Sequence, residues 1–192
     1  MKIMTLLIIA IICGVLLAVY IAVALVLKAY DLHSPRGWLL LLLDCTWSLP
    51  NTLLGTLIGL PLYAIFGRPS AAQTRGQGWV SFAPRSTTGF GNNVLQTLGT
   101  VNLGSAGQHE RMHLLQARLF GPAYLPIFAL SYVVTFLVQG GFTLLVGLIL
   151  KATGVRRRAA LQPPGKSAVH GFFGWIYYAT PFEVWAYASG NP

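Results

Sequence analysis

The sequence predicts an all-α integral membrane protein with about four transmembrane or re-entrant helices, an amphipathic helix and a small polar domain. Three observations predict it. An uncharged apolar run of bilayer length stands near the N-terminus, further apolar runs alternate with polar and basic stretches, and charge is scarce, 9% of 192 residues against 55% hydrophobic. A soluble domain keeps roughly a quarter of its residues charged. The surplus of 13 Lys and Arg over four acids, +9 in all, marks loops that meet anionic headgroups rather than a nucleic-acid surface. Nucleic acid is therefore not an expected partner; the lipid bilayer is.

Residues 1–30 read as a transmembrane anchor built on Ile3 to Leu27. That run exceeds the ~20 apolar residues that cross the hydrocarbon and the core of about 7–15 residues of a cleaved signal peptide. Residues 38–66 read as a second span, kinked or partly re-entrant at Pro50 and Pro61. Residues 67–104 turn polar and rich in Gly, Ser, Thr, Asn and Gln, which places them outside the hydrocarbon, with short strands over Trp79 to Ala83 and Val94 to Leu103. Residues 105–120 form a helix, opened by Ser105 and Gln108 in capping-box spacing and ended by Gly121-Pro122.

A third span covers 124–150, longer than one perpendicular crossing needs and interrupted at Gln139-Gly140-Gly141. The basic loop 151–167 holds Arg156, Arg157 and Arg158, and 168–192 form a C-terminal helix with Glu183. Cys13 and Cys45 lack metal or redox spacing and read as packing residues. The multi-pass chain is expected to reside in a membrane. Its short loops 28–37 and 151–167 carry the basic residues that favour the cytoplasm, which would put the helix at 105–120 on the opposite face.

On that helix the chain reads His109-Glu110-Arg111-Met112-His113, the HExxH pattern. Residues four apart share a helical face, so both imidazoles can bind one metal ion while Glu110 reaches a water beside it. A single histidine is usually a satisfied polar residue; a pair with the acid between them is what metal-assisted hydrolysis requires. Two imidazoles leave zinc in need of a third protein ligand. Glu183, the other Glu of the chain and set in an apolar segment, is the first choice, with His170 as competitor. If 124–150 crosses once and 168–192 returns, Glu183 comes back to the HExxH helix. Gln116 lies one turn beyond His113 and suits an orienting role. Tyr187 and His170, with Tyr177 and Tyr178, are oxyanion-donor candidates by nearness to Glu183 in sequence.

HExxH after two spans, followed by Glu183-Val184-Trp185-Ala186, resembles the membrane-integral gluzincin metallopeptidases, the group of the CAAX prenyl endopeptidase and the heat-shock membrane protease. In that group the Glu stands in E-x-x-A-D; here Tyr187 takes the place of the Asp. The resemblance implies a Zn2+ cofactor held by His109, His113 and Glu183, Glu110 as general base, a peptide or membrane-protein substrate, and a site on the cytosolic side. A rival reading is a non-catalytic zinc-binding subunit or scaffold with a membrane-complex partner. Another is a small pore whose polar pathway uses Glu183, Asp44 and the histidines.

Overall fold

The computed structural model describes residues 2–85, 96–104, 107–152 and 168–189. Val94, Ser105 and nearly all of the basic loop 151–167 therefore lie outside the described residues. The chain divides into two compact units, Met1–Leu125 and Pro126–Gly190. Among the described residues three helical stretches are long and apolar enough to cross a membrane: Ile3–Val26, Leu49–Phe66 and Gln108–Ile149.

In the first unit α1 (Lys2–Val26) is the anchor helix, free of charge after Lys2. Its N-terminal part leaves Ile3, Leu6 and Leu7 more than half exposed, whereas Tyr20 and Ala24 near its end are buried. A helix that is apolar all round and covered by protein at one end only leaves the rest suited to lipid. Next come α2 (Pro35–Cys45), started by Ser34, whose side chain accepts the Gly37 amide, and α3 (Leu49–Leu54), with Pro50 in its first turn. There proline's missing N–H is harmless, so Pro50 opens this helix rather than bending it, and α2 is a helix separate from the span. A π-helical stretch, Gly55–Gly59, joins α3 to α4 (Leu60–Phe66). The Leu60 amide reaches back to Gly55 O, a wider register placed just before Pro61, which has no amide to give.

The polar segment is not all helix. A four-stranded sheet is built from β1 (Gly67–Pro69), β2 (Val80–Pro84), β3 (Thr97–Leu98) and β4 (Val101–Leu103), in the order β1-β2-β4-β3, with the one-turn helix α5 (Ala71–Thr74) between β1 and β2. β2 and β4 run parallel and the other neighbours antiparallel. This sheet corrects the all-α expectation. Val80, Phe82, Val101 and Leu103 of β2 and β4 bury with Tyr20, Ala24, Tyr30 and Tyr63 into one core, so the sheet covers the C-terminal end of α1 and one side of the second candidate span.

The turn between β3 and β4 presses on α3. Gly99 has φ +56°, and a Cβ there would stand 1.8 Å from Asn51 O. Gly99→Ala is expected to lower the unfolding free energy by at least about 1–3 kcal/mol, the usual range for a strained backbone, read as a fall in melting temperature in detergent. An unchanged melt would show that the turn does not dock on α3.

The same unit closes with α6 (Gln108–Phe120), the HExxH helix. Its N-cap is Gly107 rather than Ser105, and no side chain caps it, so the expected capping box does not open this helix. Gly121, at φ +54°, lies against the Trp47 ring and ends it.

The second unit holds all but the first two residues of α7 (Tyr124–Ala152), with α8 (Ala168–Ala179) and α9 (Pro181–Ala188). α7 runs unbroken through Gly140 and Gly141. The C-terminal segment, expected as one returning helix, is instead two helices of 12 and 8 residues, each short of a crossing. Thr180 breaks it: its backbone is extended, its hydroxyl donates to Ile176 O (2.7 Å), and Pro181 begins α9. Phe128 and Tyr132 of α7 stack near Phe182 of α9, with ring centroids 5.1 and 5.7 Å from Phe128.

Candidate metal centre

α6 is fixed at both ends by side chains distant in sequence. At its C-terminal end Arg118 forks onto Asp44 of α2, Nε to Oδ1 at 2.9 Å and a terminal nitrogen to Oδ2 at 2.7 Å, with the Asp44 side chain fully buried and that of Arg118 only 10% exposed. The Tyr30 hydroxyl donates to Asp44 Oδ2 (2.7 Å) and pairs in turn with Tyr20. Burial first, then Tyr20 and Asp44, push the Tyr30 hydroxyl well above the usual phenol range, so it stays protonated and serves as a donor. Ser48 donates to Ala117 O (3.2 Å) and Asn51 to Gly121 O (3.1 Å), satisfying carbonyls that the helix end leaves open.

At the N-terminal end Arg111 lies over the Trp79 ring, 5.6 Å from its centroid, and Glu110 is hydrogen-bonded to the Thr97 hydroxyl of β3. The helix that carries the motif is thus gripped by the sheet at one end and by α2 and α3 at the other.

Between these grips the 3.6-residue period brings His109 and His113 together. Their Nε2 atoms are 3.1 Å apart and their rings meet edge to face, centroids 4.7 Å apart. His109 is buried and His113 half-buried. Behind them Gln116, fully buried, presents Oε1 to His113 Nδ1 at 2.9 Å. An amide oxygen only accepts, so Nδ1 carries the proton and the lone pair of His113 sits on Nε2, the atom turned toward His109. Two imidazole nitrogens on a tetrahedral ion at about 2.0–2.1 Å stand roughly 3.3–3.4 Å apart, close to the spacing here. In the second unit Glu183, in the first turn of α9, is 3% exposed, and Tyr132 of α7 donates its hydroxyl to Oε1 at 2.8 Å. As donor chemistry, the first unit offers the two imidazoles of His109 and His113 and the second the carboxylate of Glu183, residue types that suit a metal ion.

The chain matches no protein-family model, no curated protein and no solved structure. The imidazole pair therefore rests on its own geometry. Of the remaining residues singled out from the sequence, Tyr187 stacks with Tyr177 and Tyr178, centroids 6.2 and 5.2 Å away. His170 belongs to α8, and its side chain lies outside the described residues. Asp44, one of the two acids of the pore reading, is committed to Arg118.

Sequence reasoning missed Thr97, Arg118 and Tyr132. One signal was available: with four acids in the whole chain, a carboxylate on an apolar helix such as α2 calls for a buried cation. Arg118, on the HExxH helix, was the natural partner.

Proposed function

We propose that the chain is a membrane-bound zinc metallopeptidase, with His109, His113 and Glu183 holding the ion and Glu110 acting as general base on peptide bonds of membrane-associated substrates. The observation that carries the reading is the imidazole pair, 3.1 Å apart, with Gln116 Oε1 2.9 Å from His113 Nδ1. Two nitrogens so close, in a buried setting, suit a shared cation. A bound zinc ion would polarise the substrate carbonyl and acidify a water. Glu110, half-buried beside the pair, accepts that water's proton and returns it to the departing amine. Tyr132 donates its hydroxyl to Oε1 of Glu183, which holds that carboxylate in place within its own unit.

The test is Glu110→Gln in detergent-purified full-length protein, with zinc content and hydrolysis of a quenched peptide library measured side by side. The variant is expected to keep zinc at the wild-type level and to lose roughly 10²- to 10⁴-fold in turnover. Zinc bound by a wild type that cleaves nothing would favour the scaffold subunit instead.

A further inference from the structure

Glu110 is anchored to the sheet as well as to its own helix. β3 and β4 pair antiparallel with Thr97 opposite Asn102. The Asn102 side chain, 1% exposed, donates from Nδ2 to Gly104 O at 2.7 Å, which turns its Oδ1 toward Thr97, 2.7 Å from the hydroxyl. The same hydroxyl meets Glu110 Oε2. The hydroxyl has one proton and two acceptors in reach, Asn102 Oδ1 and Glu110 Oε2.

We infer that Thr97, placed by its strand pairing opposite Asn102, is the positioning residue of Glu110, a role that rests on the metallopeptidase reading. A half-buried glutamate on the first turn of a helix has several rotamers open to it and is already well solvated, so one hydroxyl adds little to folding. Its consequence is geometric. A general base works only within hydrogen-bond reach of the proton it takes, and a displacement of about 1 Å costs on the order of 100-fold in rate. The Thr97 proton goes to the charged carboxylate, the stronger of its two acceptors, and fixes Oε2; Oε1 is then the oxygen that receives the proton of water. Threonine suits the task because its β-branch restricts χ1 on a strand. The antiparallel pairing of β3 with β4, Thr97 opposite Asn102, sets where the hydroxyl lies.

The experiment compares Thr97→Val, Thr97→Ala and Thr97→Ser with wild type in the zinc-loaded full chain. Thr97→Val and Thr97→Ala are expected to keep zinc and KM within about twofold and to lose roughly 10- to 100-fold in kcat; Thr97→Ser, which restores the hydroxyl, is expected to return to within a few-fold of wild type. Wild-type kcat in Thr97→Val, or a defect that Thr97→Ser does not rescue, overturns the positioning role while the metallopeptidase reading stands. The contact is read without activity from the melting temperatures of Thr97→Val, Glu110→Gln and the double variant: shifts smaller than the sum of the single ones support it, and strict additivity overturns it. A zinc-bound wild type without turnover overturns the metallopeptidase reading, and the positioning role falls with it.

Discussion

Asp44→Ala is expected to destabilise the first unit by about 3–5 kcal/mol, the usual penalty for leaving one member of a buried ion pair without the other. The Asp44 side chain has no exposure and that of Arg118 has 10%, so water cannot solvate the stranded guanidinium at little cost. Arg118→Met should cost a similar amount, because Asp44 would keep only the Tyr30 donor. The combined Asp44→Leu, Arg118→Met variant should be more stable than either single one, since two apolar side chains replace two charges. It should not regain the wild-type value: the Tyr30 hydroxyl and the Gly78 carbonyl, which Arg118 also serves, lose partners at about 1–3 kcal/mol each. Denaturant unfolding in a mild detergent reads all three. If Asp44→Ala unfolds at the wild-type midpoint, the pair is no clamp, and the fixation of α6 at its C-terminal end has to be sought in Ser48 and Asn51.

The parts of this fold that follow from nearest-neighbour chemistry were legible in the sequence. The run from Ile3 becomes α1, Lys2–Val26, because nothing in it competes with helical hydrogen bonds. The motif helix ends at Phe120, where Gly121-Pro122 permits little else. The imidazole pair needed only the i, i+4 spacing.

What the sequence hid depends on partners far along the chain. Asp44 and Arg118 are 74 residues apart, and no local pattern assigns one to the other. The parallel pairing of β2 with β4 places Val80 beside Val101, a neighbour relation that alternation within either strand cannot reveal. Ser105 and Gln108 have capping-box spacing, but the helix begins two residues too late for Ser105 to cap it, at Gly107. The break at Thr180-Pro181 is marked in the sequence by the proline: the 22 residues from Ala168 to Ser189 suggest a crossing only if the helix is continuous, and Pro181 begins a new one.

His109→Ala and His113→Ala are each expected to weaken zinc binding by roughly 10²- to 10³-fold, about a quarter of the 10–16 kcal/mol that a four-ligand protein zinc site supplies. Glu183→Ala should match them if its carboxylate completes the donor set. Gln116→Leu removes no ligand. Without an acceptor at Nδ1, 2.9 Å away in the native protein, His113 is free to move its proton to Nε2 and lose the lone pair that binds metal, so affinity should fall only about 10- to 100-fold. Competition against chelators of graded strength, on protein purified without chelator, ranks the four variants on one scale. A ranking with Gln116→Leu between wild type and the histidine variants assigns Gln116 to orientation and the histidines to coordination. Zinc held as tightly by Glu183→Ala as by wild type would remove Glu183 from the donor set and leave His170 as the next ligand to test. Because the Tyr132 hydrogen bond to Glu183 lies within the second unit, Tyr132→Phe separates the two roles of that carboxylate: a weaker site with unchanged melting makes it a ligand, and a lower melting temperature with unchanged zinc makes it a packing residue.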